Sequence, residues 1–325
     1  MALISVSAAL VRNPNVIRRF KNEVVISIAG DVLLDRGVAV AIAQYGAAYP
    51  YEGVSGIFNA DDITIANLEC PLTQAGGGAM KPKRFVFKAD PDNAGELKSA
   101  GFDVLTLANN HTMDYLSDGL SDTISALDNA GLHHSGAGLN GENIPPLIIE
   151  KHGVSIGILS YSALPPEGFM YDGDSATIAY ARAEFLDDMK AEIADAAARC
   201  DFLLVYFHWG AEYRHDIDKQ QLEIAHAAVD SGAGSVIGSH PHVLQGKEIY
   251  NGAPIYYSLG NFVFDSQIPE GTDEAVIVQL TIGKGGIVST RELPVIIKDA
   301  QPRVAEGERS EQIHANMEWY SQRFK

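Results

Sequence analysis

The sequence predicts an α/β protein with a substantial parallel sheet. Short Val- and Ile-rich runs of strand length recur along the chain, and amphipathic helical patterns alternate with them. Composition agrees: 46% of the 325 residues are hydrophobic and 20% charged, which excludes a disordered chain, a collagen-like chain and a disulfide scaffold.

The first strand signal is Glu23–Ala29, EVVISIA, which stops at Gly30-Asp31. Ile63–Ala66 runs into Asn67-Leu68-Glu69, and Val104–Ala108 into Asn109-Asn110-His111. Ser155–Ser160 follows, then Phe202–Phe207 before His208 and Ser235–Ile237 before Gly238-Ser239-His240. Ile255–Tyr257 leads to Ser258-Leu259-Gly260-Asn261, and Ala275–Ile282 and Glu292–Ile297 complete the strands. Between them, Ser117–Ala130 has apolar residues at helical spacing and a C-terminal Gly131. Arg182–Arg199 aligns Phe185, Leu186, Met189, Ile193 and Ala197 on one stripe, and Lys219–Asp230 repeats the theme before Ser231-Gly232. The loops Gln74–Lys83, Leu164–Ala176 and Asp265–Asp273 lack a linker's composition. The chain therefore reads as one domain over 1–325, with a motif-bearing core of about 24–265 and C-terminal strands and a tail over 275–325.

Charge narrows the function classes. Twenty-four basic residues against 42 acidic ones give −18, the wrong sign for gripping nucleic acid through its phosphates. No run approaches the roughly 18–20 apolar residues of a membrane-spanning helix. Two cysteines, Cys70 and Cys200, make no disulfide framework. The N-terminal MALISVSAALVRNPNVIRRF places its Arg cluster after a short apolar run, a poor signal peptide. That leaves two locations open, cytoplasmic as given or extracytoplasmic with an anchor removed, and it leaves the oligomeric state open.

Position is the informative fact. Asp31, Glu69 with Asn67, Asn110-His111, His208 and His240-Pro241-His242 each stand at the end of a strand pattern. Strand C-termini of a parallel sheet converge on one edge, where sites are built. A single strand-end Asp reads as a helix cap and a single His as a hydrogen-bonded rim residue. Five such clusters on one edge form instead a ligand set for a divalent metal, Mn, Mg, Ca or Zn.

The segments IAGDVLLDR, IANLECPL, LANNHTMDY, YFHWGAEY, VIGSHPHVLQG and YSLGNFVFD, in this order from about Val24 to Asp265, resemble the CapA/PgsA-like capsule biosynthesis family. That family is associated with poly-γ-glutamate production and resembles the calcineurin-like metallophosphoesterases. The resemblance implies a four-layer α/β/β/α sandwich with one or two divalent metals at a sheet edge. It implies Asp31 on a first metal, a bridging Glu69, and Asn110, His208 and His240 on a second, with His242 returning to the first. His111 resembles a leaving-group acid oriented by Asp114, and His208 and His242 fall in the catalytic set as well. Arg36, Asn67, Glu212 and Asn261 are expected to meet substrate, with Tyr213 either beside them or in the core, and Trp209 as packing or a pocket wall.

The chain departs from that pattern. Two-metal phosphoesterases read Asp-x-His where this chain reads Asp31-Val32-Leu33, and leucine cannot coordinate. The bridging residue is Glu instead of Asp. Gly-His-His-Pro-His is Gly238-Ser239-His240-Pro241-His242, and an aromatic–Pro–Ser segment is Arg214-His215-Asp216, which reads as a surface ion pair or a substrate-facing pair. Three functions follow as expectations. One is a metal-dependent hydrolase of phosphate esters or amide links in poly-γ-glutamate metabolism. The second is a non-catalytic component of polymer synthesis or export. The third is a metal-anchored His/Asp acid–base epimerase of peptides. Each takes a small-molecule or peptide/polyglutamate partner and no nucleic acid.

Overall fold

Most strands of this chain bury both faces, so the two-residue alternation of their side chains decides what packs against what. The computed structural model describes residues 22–77, 83–139, 144–164, 176–182, 185–265 and 269–324. Strands β1 (Glu23–Val32), β2 (Ile63–Leu68), β3 (Val104–Thr106) and β4 (His133–Ser135) lie parallel side by side. Strand β5 (Ala137–Leu139) leaves that sheet, and β6 (Leu147–Lys151) with β7 (Val154–Ser162) opens a second. Strand β8 (Ala176–Ile178) pairs back onto β5. With β9 (Phe202–His208), β10 (Ser235–Ser239), β11 (Lys247–Tyr250) and β12 (Ala253–Tyr256), the second sheet has the order β11-β12-β10-β9-β7-β6. The chain returns through β13 (Asn261–Val263), β14 (Glu274–Gly283), β15 (Gly286–Lys298) and β16 (Gln301–Val304). The first sheet then reads β16-β15-β14-β1-β2-β3-β4, with β13 beside the end of β1.

Parity explains the layers. Val24, Ile26 and Ile28 of β1 and Ile63 and Ile65 of β2 meet Ile156 and Ile158 of β7 and Phe202, Leu204 and Tyr206 of β9 in one inter-sheet core. The intervening residues of β9, Leu203, Val205 and Phe207, point outward to Met189 and Ile193 of helix α4 (Leu186–Ala197) and Ile224 and Ala228 of α5 (Lys219–Asp230). The outer face of the first sheet packs on helices α1 (Arg36–Tyr45), α2 (Asn93–Ser99) and α3 (Leu116–Asn129). Each fully buried Val, Ile, Leu or Phe contributes about 1.5–3 kcal/mol. The result is the expected α/β/β/α sandwich.

Several sequence readings change. The C-terminal tail is in part helix α6 (Gly307–Tyr320), which sends Ile313 and Met317 into the inter-sheet core. Helix α2 and the strands β4, β6, β11 and β16 gave no clear signal in sequence. By contrast α5 spans Lys219–Asp230 as read, because Asp218 and Gln221 close a capping box at its start. The N-terminal twenty residues lie outside the described residues, as do parts of the three loops read as shaping substrate access, at 78–82, 165–175 and 266–268. Among the described residues no helix is long and apolar enough to cross a membrane.

Candidate metal centre

The same parity that builds the inter-sheet core carries polar side chains into its open edge. On β9 the residues Phe202, Leu204 and Tyr206 face the other sheet, so His208 faces it too. On β2, Ile63 and Ile65 are followed in phase by Asn67 and then Glu69; on β10, Ile237 is followed by Ser239. Strand β1 needs a correction to join them. Its register against β2 shifts between Ile28 and Asp31, three steps on β1 against two from Ile65 to Asn67. This extra residue puts Asp31 on the face used by Ile26 and Ile28. The shift occurs at Gly30, where an added Cβ would stand 1.9 Å from the carbonyl oxygen of Gly260, so only glycine fits.

These residues meet in one buried cluster. Glu69, His240 and His242 each bring a donor atom to within 4.8 Å of the others. His242 Nε2 lies 3.7 Å and His208 Nε2 3.9 Å from Glu69 Oε1. Asp31 lies alongside, its Oδ2 3.7 Å from His242 Nδ1 and its Oδ1 3.8 Å from His208 Nδ1. Asn110 Oδ1 is 2.8 Å from His208 Nε2. His240 and His242 both hold positive φ, 95° and 58°, a conformation that side-chain-bearing residues adopt at a cost of about 1–3 kcal/mol. Tyr213, also at positive φ, anchors this turn by donating its N–H to the Pro241 carbonyl at 2.7 Å.

Two atoms test whether a cation fits. Glu69 Oε2 and His240 Nδ1 are buried and have no protein hydrogen-bond partner, a situation that costs about 1–3 kcal/mol per group unless something else satisfies it. Electrostatics points the same way. Burial pushes the Asp31 carboxyl up, against the pull of His242 and of hydrogen bonds from Asn67, the His240 backbone and Ser239. Burial, reinforced by Asp31 and Glu212, drives Glu69 well above its usual range, while Lys83 and Arg36 oppose it. Burial and then the neighbouring imidazoles hold His208 and His240 well below theirs. Burial thus disfavours the charged imidazoliums and outweighs the positive charges that face the carboxyls. Such a donor set fits a divalent cation.

Beside the cluster stands a second constellation. His111 Nδ1 lies 2.8 Å from Asp114 Oδ2, which also accepts the Phe87 N–H at 2.7 Å. Lys83 closes the group, its Nζ 2.7 Å from Asp114 Oδ1 and donating to the Asn110 carbonyl at 2.9 Å. Sequence reasoning missed Lys83, for nothing in a Lys-Pro-Lys-Arg run marks one lysine as turned inward.

Four residues expected to meet substrate are placed differently from one another. Asn67 is fully buried; its amide donates to Asp31 Oδ1 at 2.8 Å and accepts from Asn109 at 3.0 Å and Thr106 at 3.3 Å, so it holds the centre from behind. Asn261 is equally buried, donating to the Thr272 and His242 carbonyls and accepting at 2.9 Å from His242 Nδ1, which leaves His242 Nε2 turned to Glu69. Arg36 is committed to Asp265 through two nitrogens and lies between the rings of Phe87 and Phe264, 5.4 Å from each. Glu212 is exposed, near enough for its charge to reach Glu69. His215 Nδ1 donates to the Leu244 carbonyl at 2.7 Å, and its ring stacks on Tyr320 of α6. Leu33 lies in the apolar layer under the first sheet's helices, and Trp209 is fully buried, stacked on Phe207.

An α/β/β/α sandwich with a buried imidazole–carboxylate cluster at the sheet edge is therefore the class that fold and site define. The chain belongs to the bacterial capsule synthesis protein PGA_cap family, whose model matches residues 25–266. It is 34% identical over 278 residues to the PGA biosynthesis protein CapA of Bacillus subtilis, covering 85% of this chain and 72% of that one. It is 29% identical over 311 residues to the capsule biosynthesis protein CapA of Bacillus anthracis, covering 93% and 75%. Among solved structures, a hypothetical protein of Thermus thermophilus shares the fold at a TM-score of 0.52 and 17% identity, over 83% of this chain and 98% of that one.

Proposed function

We propose that this chain is a metal-dependent hydrolase of capsule or poly-γ-glutamate metabolism that cleaves phosphate esters or amide links. The observation that carries the reading is the pair of unpartnered buried atoms, Glu69 Oε2 and His240 Nδ1, in one donor cluster with His242. Glu69, His240 and His242 would hold one divalent cation, with Asp31, His208 and Asn110 completing its surroundings. Such a cation supplies Lewis-acid polarisation of the bond to be cleaved. Asn67 and Asn261 hold the ligands in place. His111, donating its Nδ1–H to Asp114, keeps Nε2 for the proton that the leaving atom receives, a role contributing about 10²–10⁴-fold in rate.

The test is turnover of phosphomonoesters, phosphodiesters and poly-γ-glutamate after loading with Mn²⁺, Mg²⁺, Ca²⁺ or Zn²⁺. Cation-dependent cleavage that is lost in His240→Ala and falls at least about a hundredfold in His111→Ala is the expected result. A metal-loaded protein that cleaves none of these yet retains poly-γ-glutamate would overturn the hydrolase reading in favour of a binding component. Solvent deuterium appearing at a peptide α-carbon would overturn it in favour of an epimerase.

A further inference from the structure

We infer that, within the hydrolase site proposed above and resting on that reading, Asp265 is a positioning residue that presents Arg36 to an oxyanion of the substrate, a carboxylate or phosphate beside the bond cleaved. Arg36 is held at more points than a solvated surface arginine. It opens helix α1 at a φ of 53°, a left-handed conformation that costs a residue with a side chain about 1–3 kcal/mol. Its Nε donates to Asp265 Oδ2 at 3.1 Å and its Nη2 to Asp265 Oδ1. Its guanidinium carbon lies 5.4 Å from the ring centres of both Phe87 and Phe264, within cation–π range. Gly37 makes room for the pair: a Cβ there would stand 2.6 Å from Asp265 Cβ, and its N–H donates to Asp265 Oδ2 at 3.3 Å.

The two rings tie the arginine to both sides of the site. Phe87 packs on His111, ring centres 4.3 Å apart, and Phe264 on His242, 5.1 Å apart. A guanidinium carries five N–H donors. Asp265 claims two of them along one edge, and Nη1 has no hydrogen-bond partner among the described residues. A second fork is left, one N–H from Nη1 and one from Nη2, with the spacing that receives a carboxylate or phosphate through two parallel bonds. The Arg36 side chain is 32% exposed, so a ligand can reach it. An anion seated on that fork lies across the guanidinium from Asp265, which keeps the two negative charges apart. An ion pair that only stapled the end of β13 to α1 needs neither a strained backbone nor an open second fork.

Calorimetry on chelator-treated protein tests this apart from the metal, with inorganic phosphate, tri-γ-glutamate and the amide of tri-γ-glutamate as probes. The unsubstituted chain is expected to bind phosphate or the tripeptide at least about tenfold more tightly than the uncharged amide. A preference for phosphate names a phosphate ester as the source of the oxyanion, and a preference for the tripeptide names a polycarboxylate. The preference over the amide is expected to fall about tenfold in Asp265→Asn, and equally in Arg36→Lys, which keeps the charge and loses the fork. A lowered unfolding midpoint with an unchanged preference is the mark of a staple and would overturn the inference, as would equal binding, or none, of the three probes. Metal content of the loaded chain is read separately, and its absence would overturn the metal-centre reading whatever the anion preference.

Discussion

Replacing Asp114 by asparagine probes how the His111 side of the site is held. Asp114 is fully buried; Oδ2 accepts the Phe87 N–H at 2.7 Å and faces His111 Nδ1 at 2.8 Å, and Oδ1 stands 2.7 Å from the Lys83 ammonium. Asparagine keeps the shape, loses the charge, and turns one oxygen into an NH₂ that must face either the ammonium or two N–H donors. Removing one partner of a buried ion pair costs about 3–5 kcal/mol. The Lys83 side chain is 12% exposed, so some water reaches the stranded ammonium and the lower end, about 3 kcal/mol, applies. Lys83→Met leaves a carboxylate still holding two donors and costs about 1–2 kcal/mol. In the double variant no ammonium is stranded, so the pair should couple by about 2 kcal/mol. Urea unfolding followed by tryptophan fluorescence measures all four proteins, because Trp209 is fully buried and reports global opening. Additive single-variant losses, with coupling below about 0.5 kcal/mol, would show that Lys83 and Asp114 do not act as a buried pair.

Three further expectations follow from the same geometry. Gly30→Ala forces a methyl group against the Gly260 carbonyl and should lower stability by several kcal/mol while abolishing metal binding; a normal unfolding midpoint would show that the strand crossing is not as tight as described. Asn261→Ala frees His242 Nδ1 and should weaken metal binding about 10–100-fold in calorimetry, against no change if His242 is oriented by packing alone. In the metal-free protein the folded-state carboxyl of Glu69 is raised, so its contribution to stability is intact below the ordinary glutamate range of about 4.3 and is lost as pH rises through the higher folded value. Chelator-treated protein should therefore lose more urea resistance as pH rises above the ordinary glutamate range than Glu69→Gln does, and parallel losses would contradict this.

Much of this was legible because strand ends mark themselves. Val- and Ile-rich runs broken by Asp31, Glu69, Asn110, His208 and His240 announced both the sheet and the edge where these residues gather. The roles within the edge were less legible, since they depend on which face a side chain takes and on what its second polar atom meets. Asn67 and Asn261 resemble substrate contacts in sequence, yet each spends its amide on neighbours inside the fold. Arg36 looks like an anion contact at a helix start, while Asp265, 229 residues later, claims its guanidinium. Lys83 gave no signal because its partners, Asp114 and Asn110, belong to a different strand end. Helix α6 stayed hidden because only Ile313 and Met317 of its apolar residues are buried, too few to write a helical period.

If Glu69, His240 and His242 form a cation site, elemental analysis shows it most directly. The protein would be loaded with Mn²⁺ or Zn²⁺, desalted, and compared with His240→Ala handled in parallel. The predicted result is about one tightly held divalent cation per chain, lost in the variant, since Leu33 removes a donor from the Asp31 side. A metal-free chain after loading, or equal metal content in His240→Ala, would contradict it.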